Sequence, residues 1–172
     1  MLLKLNLVDD QYKYTYIDHT RYIARAILIN DKNEVCLLKL FGDDDFGHRD
    51  YVETPGGGIN YEETPSKAVI REIKEETGCD SIIIDEIGIV NDYYNLIHRE
   101  NINYYFLAKV TGQGTPCLEE KEKTIIKDVI WVDFETAIKL YENMNKDKLE
   151  ILVANRELPI LKKAYEMLFG GK

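Results

Sequence analysis

Between Pro55 and Cys79 the chain reads PGGGINYEETPSKAVIREIKEETGC, a bare glycine run followed at once by a helix marked at both ends. Thr64 suits the N-cap and Pro65 the first helical position, where a missing N–H costs nothing. Gly78 suits the position just past the last turn, where the chain turns left-handed. At roughly 100° per residue, Glu72, Glu75 and Glu76 fall within an arc of about 100°, so their carboxylates converge. Three acids at i, i+3 and i+4 repel one another unless something positive holds them, and the simplest holder is a divalent cation. Carboxylate and water oxygens suit magnesium or manganese, not zinc. Arg71, four residues before Glu75, is placed to fix that carboxylate by a charge-assisted bond. Ala68, Val69 and Ile73 offer apolar contacts on a neighbouring face. The glycines let a carbonyl approach a metal, or an amide a phosphate, with no Cβ in the way.

Taken singly, these features have plainer meanings. A glutamate-rich helix is usually a solvated face, and a glycine triplet is usually a flexible turn. The conjunction tells against that. Gly57, five residues, Glu63, seven residues, Arg71-Glu72-Ile73, one residue, Glu75-Glu76, one residue, Gly78-Cys79 resembles the signature of the MutT-like Nudix hydrolases. That signature is G-x5-E-x7-R-E-U-x-E-E-x-G-U, with U a bulky apolar residue. Every fixed position matches. Cys79 at the last U is smaller than usual, which weakens packing behind the loop and not the chemistry.

The resemblance implies an α+β fold, the Nudix-type α/β/α sandwich with a mixed sheet and C-terminal helices. It implies hydrolysis of a pyrophosphate bond in a small nucleotide, a nucleoside triphosphate or a nucleoside diphosphate linked to another moiety. Mg²⁺ or Mn²⁺ is the implied cofactor. Carried over by position, Glu72, Glu75 and Glu76 become metal ligands, with the Gly56 carbonyl as a further one. Glu75 and Glu76 also become catalytic candidates. Arg71 orients the carboxylates, and Glu63 is an acceptor or auxiliary ligand near the helix start. Relatives often place a further glutamate in a later loop. Here CLEEKEK offers Glu119, Glu120 and Glu122, and Glu122 is the one selected. Lys39, at the end of an apolar strand, and Arg25, inside another, are candidate phosphate contacts. An ion pair with a core carboxylate explains Arg25 equally well. Tyr94, of the Tyr93-Tyr94 pair, is a candidate stacking surface for a base, with ordinary packing as the alternative. Two other functions remain open. One is an RNA 5′-end pyrophosphohydrolase, against which the acidic charge and the lack of a basic tract speak. The other is a non-catalytic Nudix module that senses a nucleotide, against which the intact glutamates speak.

At 172 residues the chain is long enough for one domain with a real core and short for two. Residues 1–172 are therefore read as a single domain, with an extended segment at 1–20 and helices over 135–172. A net charge of −9 gives no general attraction to duplex nucleic acid or to anionic membranes. No apolar run approaches the ~18 residues of a membrane span. The opening MLLKLNLVDD is too short and too interrupted for a signal peptide. Cys36, Cys79 and Cys117 do not form a disulfide framework, and the protein is expected in the cytoplasm. Tyr12, Tyr14 and Tyr16 alternate in an extended or edge segment that is a candidate homodimer contact, core packing of the tyrosines being the plainer reading.

Strands are expected at 21–30 and 34–40 around an Asp31-Lys32-Asn33 turn, at YVET, at 81–95 and 102–110 as an antiparallel pair, and at 129–134. The intervening 41–50, FGDDDFGHRD, reads as a solvated surface loop. ETAIKLYENM, KLEILVAN and ELPILKKAYEMLF read as helices, the last two forming one kinked or two separate helices about Pro159. His19, His48 and His98 are dispersed, and none is expected to be catalytic.

Overall fold

The computed structural model describes residues 1–170. Eight strands and four α-helices follow in the order β1 (Leu3–Asn6), β2 (His19–Ile29), β3 (Val35–Asp44), β4 (Gly47–Glu53), β5 (Gly56–Gly58), α1 (Pro65–Thr77), β6 (Asp80–Tyr94), β7 (Arg99–Gly112), α2 (Glu120–Ile125), β8 (Ile126–Val132), α3 (Phe134–Glu142) and α4 (Lys148–Phe169). The sheet runs β1-β6-β7-β2-β3-β4, with β5 paired to β2 and β8 to β3. It is mixed: β1–β6 and β2–β7 are parallel, and the other pairs are antiparallel.

Both faces of the central strands are covered, which is why β2 ends in the continuous apolar run Ala26-Ile27-Leu28-Ile29. Alternate side chains go to opposite layers. Ala24, Ala26 and Leu28 pack with Ala68, Val69 and Ile73 of α1 in one core. Ile27 and Ile29 pack with Ala137 and Tyr141 of α3 and with Leu152, Val153 and Ile160 of α4 in the other. This is the expected α/β/α layering. The alanines on β2 let α1 lie close to the sheet, and the full burial of Ile73 contributes roughly 1.5–3 kcal/mol to holding it there.

Several local expectations need correction. Residues 41–50 are not a loop. β3 continues to Asp44 and β4 begins at Gly47, leaving Asp45-Phe46 as the turn. Cross-strand polar contacts hold the ends together: a hydrogen bond between Asp43 and His48 at 3.0 Å and an ion pair of Asp44 with Arg49 at 2.7 Å. The acidic stretch after Leu118 carries the short helix α2, Glu120–Ile125, opened by a capping box between Glu119 and Glu122. β8 starts three residues earlier than expected and ends at Val132, because Asp133 caps α3 by accepting from the Thr136 N–H. α4 is one continuous helix through Pro159. The carbonyl deprived of its donor belongs to Asn155, on the exposed side, while Leu152, Val153, Ile160 and Leu161 keep both halves buried. At the N-terminus, β1 is an edge strand, but it ends at Asn6, before the tyrosines whose alternation suggested one. Tyr12 packs against the core, whereas Tyr14 and Tyr16 are exposed. No helix among the described residues is long and apolar enough to cross a membrane.

Candidate active site

The signature helix α1 is built as its residues dictate. The Thr64 hydroxyl accepts from the Lys67 N–H at 3.3 Å, Pro65 opens the helix, and Gly78 closes it in the left-handed conformation at φ 74°. Arg71 then organises everything around it. Its Nε and Nη2 donate to the two oxygens of Glu63, each at 2.9 Å, a bidentate fork. Nη2 also reaches the Gly58 carbonyl at 2.9 Å. Nη1 donates to Glu72 at 2.7 Å and to Glu75 at 3.0 Å. The guanidinium beside Glu63 holds that carboxyl down at about 2.

The carboxylates that converge are not the three expected from helical spacing alone. Glu72, Glu76 and Glu122 each place an oxygen within 4.8 Å of the others. Glu75 is drawn aside by Arg71. Glu122 arrives from α2, where one of its oxygens accepts from the Glu119 N–H at 2.8 Å and fixes the side chain. Glu76 is fixed from the opposite side by the Gly56 N–H, donating at 2.7 Å. The glycine turn is thus bound to α1 through its amide, and it lies against Glu72 as well. A Cβ on Gly57 would stand 2.6 Å from the Glu72 carboxyl carbon, so a side chain there would push that carboxylate out of its place.

Burial raises Glu72 above the usual carboxylate range; Arg71 draws it back, and the charges of Glu75 and Glu122 raise it again. Burial raises Glu76 much further, with Glu72 adding to the effect. Glu76 forms no ion pair among the described residues. Three oxygen donors, two of them buried and one of those, Glu76, without a cationic partner, fit a divalent cation.

A cavity of about 820 Å³ opens on this cluster, lined by Gly56, Gly57, Glu76 and Glu122 on one side. Its remaining wall carries Arg21, Arg25, Arg49, Arg99 and Arg156. Arg25 lines it, and it also forms the alternative ion pair: Nη2 lies 2.8 Å from Glu53 and Nε 4.0 Å from Glu157. Arg156 completes that buried network by bonding Glu53, Glu157 at 2.9 Å and the Tyr94 hydroxyl at 2.7 Å. Glu157 also accepts from Tyr105 at 2.7 Å and from Thr54. Burial opposes the charge on Glu53, but Arg25, Arg156 and Arg49 outweigh it and hold the carboxyl at about 2. The network secures the strand end that leads into the glycine turn.

Two expected contacts sit differently. Lys39 is exposed in a separate depression with Phe41, Asp50 and Lys127. β3 alternates, so Leu38 and Leu40 face the cavity and Lys39 faces away. Tyr94 lines the cavity, but it is buried, its hydroxyl bonded to Arg156 and its ring edge-on to Phe46. It forms a wall there, not an open platform for a base. The sequence reading missed Glu53, Arg21, Arg99, Arg156 and Glu157. For Arg21 there was a signal: it is four residues before Arg25 on the same strand, hence on the same face. For the others there was none.

A family model described as the NUDIX domain matches residues 19–154. An RNA pyrophosphohydrolase of Orientia tsutsugamushi (strain Boryong) is 31% identical over 177 residues, covering 95% of this chain and 96% of that protein. The 8-oxo-dGTP diphosphatase of Escherichia coli (strain K12) is 39% identical over 56 residues, 33% of this chain and 42% of that protein. Among solved structures, a MutT protein from Methanosarcina mazei Go1 superposes with a TM-score of 0.63 at 20% identity, covering 87% of this chain and 96% of the other. The chain belongs to the NUDIX family, and so to the hydrolases that act on pyrophosphate bonds.

Proposed function

We propose, from that membership, that the protein is a divalent-metal-dependent hydrolase of a pyrophosphate bond in a small nucleotide. The observation that carries the reading is the meeting of Glu72, Glu76 and Glu122 within 4.8 Å on a cavity whose other wall carries five arginines, two of them without a carboxylate partner among the described residues. These three carboxylates are the residues that would hold Mg²⁺ or Mn²⁺, with Glu75 and the Gly56 carbonyl beside them. A bound cation supplies charge neutralisation and polarises phosphoryl oxygens.

The chain's own residues then have distinct tasks. Arg71 keeps Glu63, Glu72 and Glu75 in fixed orientations. The Gly56 amide does the same for Glu76. The arginine wall attracts the phosphates that the net charge of −9 would otherwise repel. Water attacks one phosphorus of the anhydride, the bridging P–O bond breaks, and both products leave as phosphates. Glu122, half-buried and carried on a separate element, takes the proton from the attacking water.

The full-length similarity to an RNA pyrophosphohydrolase favours a second reading, in which the nucleotide is the 5′ end of an RNA. One experiment addresses both. Purified protein with Mg²⁺ or Mn²⁺ is assayed against nucleoside triphosphates, nucleotides joined through a diphosphate and a short 5′-triphosphate RNA, reading released phosphate and pyrophosphate. Turnover of free nucleotides supports the first reading. Cleavage of the RNA alone replaces it with the second, and no metal-dependent turnover anywhere overturns both.

A further inference from the structure

The five cavity arginines are not equivalent. Arg25, Arg49 and Arg156 each lie within 2.9 Å of a carboxylate oxygen. Arg21 and Arg99 have no carboxylate partner within salt-bridge distance among the described residues. Arg99 is the more telling of the two. It is only 7% exposed, and its Nε is buried with no hydrogen-bond partner. Its guanidinium lies 4.9 Å from the centre of the Phe46 ring, which Arg49 approaches at 4.7 Å. The carboxylate of Asp92, close enough to favour its charge, is already engaged by Asn103 at 2.7 Å and faces Arg156 at 3.7 Å. Burial and the positive charge of Arg21 together pull Arg99 down to about 10, and burial pulls Arg21 down too. A buried cation without a partner is costly unless a ligand supplies the opposite charge.

The placement says which ligand. β2 and β7 run parallel, with His19 opposite Arg99 and Arg21 opposite Asn101, so Arg21 and Arg99 share one face two positions apart. Arg21 also lies over the glycine turn: a Cβ on Gly58 would be 2.9 Å from its Nη2. A Cβ on Gly57, the next residue, would meet Glu72. The carboxylate cluster, Arg21 and Arg99 therefore follow one another along the cavity. We propose that Arg21 and Arg99 form an anion subsite that receives a further phosphoryl group of the substrate, beyond the phosphates at the carboxylates. The molecule hydrolysed then carries a 5′-triphosphate end, free or on an RNA, and is not a diphosphate closed by an uncharged sugar. This rests on the pyrophosphohydrolase reading above.

The test uses the intact protein, with Arg99→Met and Arg21→Gln. Arg21 is exposed, so its variant folds even if the buried replacement does not. In EDTA, inorganic tripolyphosphate raises the melting temperature of the wild type, and each variant loses most of that shift. In activity, losing a charge-assisted bond raises KM for a nucleoside triphosphate about 10-fold or more with kcat little changed, while KM for a nucleoside diphosphate sugar moves less than about 2-fold. Comparing a free triphosphate with a 5′-triphosphate RNA in the same assay tells which source of that end is preferred. The subsite is overturned if the tripolyphosphate shift survives in both variants, or if both substrate classes suffer equally. If no nucleotide is turned over at all, the pyrophosphohydrolase reading fails while the tripolyphosphate measurement still decides the subsite.

Discussion

Replacing Glu76 by glutamine separates the charge of this residue from its shape. Glu76 is 5% exposed, accepts from the Gly56 amide at 2.7 Å and has oxygens of Glu72 and Glu122 within 4.8 Å. With an effective dielectric of about 20, two unit charges at 4.8 Å repel by roughly 3.5 kcal/mol. Protonation of Glu76 caps that penalty in the metal-free protein, since burial and Glu72 already raise its proton affinity. Glutamine keeps an acceptor for Gly56, though a neutral one, which returns about 1 kcal/mol of the gain. The net expectation in EDTA is that Glu76→Gln is more stable than the wild type by about 2 kcal/mol, or roughly 4–8 °C for a chain of this size. Magnesium reverses the order. At 100 times its dissociation constant, a bound ion stabilises the wild type by about 2.7 kcal/mol, and the variant gains far less. Thermal unfolding followed by circular dichroism, with EDTA and then with excess MgCl₂, reads both numbers. Turnover falls by about two orders of magnitude or more in the variant. If the variant is the less stable protein in EDTA and the wild type gains nothing from Mg²⁺ or Mn²⁺, then Glu76 is a structural acid and the metal argument is wrong.

Two further outcomes test the frame around that site. Gly57→Ala puts a Cβ 2.6 Å from the Glu72 carboxyl, closer than real Cβ contacts come, so Glu72 must shift away from its place beside Arg71. Turnover should drop about 100-fold with the melting temperature within a few degrees of wild type, and an unchanged kcat would show that Glu72's position is immaterial. The buried arginine network predicts acid lability. Glu53 is held at about 2 against an ordinary 4.5, so its contribution is complete above pH 4.5 and is lost as the pH falls towards 2. That window is worth on the order of 3 kcal/mol. Denaturant titrations at pH 6, 4 and 2.5 measure it, and an equally steep decline in Glu53→Gln would assign the lability to other groups.

The acidic half of the site was legible because its geometry is local. The Thr64 cap, the turn at Gly78 and the reach of Arg71 to Glu75 all lie within one helix, and a helix fixes them from spacing alone. Spacing failed only where a third element intervened. Glu122 joins Glu72 and Glu76 from 46 positions beyond Glu76, and nothing in helical periodicity points to it; the resemblance to a family did. Apart from the strand alternation that sets Arg21 on the same face as Arg25, the basic half has no local rule behind it. Arg156 meets Glu53 across 103 positions, and Arg99 meets Phe46 because a stretch with the composition of a loop is pinned into a hairpin by Asp43–His48 and Asp44–Arg49. Lys39 shows the same limit from the other side. Its alternation with Leu38 and Leu40 is plain in the sequence, but which of the two faces looks into the cavity is decided by α4 and β7, far along the chain. The residues that would hold the cation are therefore mostly written together, on one helix. The arginines that would meet the substrate's phosphates are contributed by β2, β4, β7 and α4 separately. That division explains why the family was evident from 23 residues of the 172 while the substrate was not.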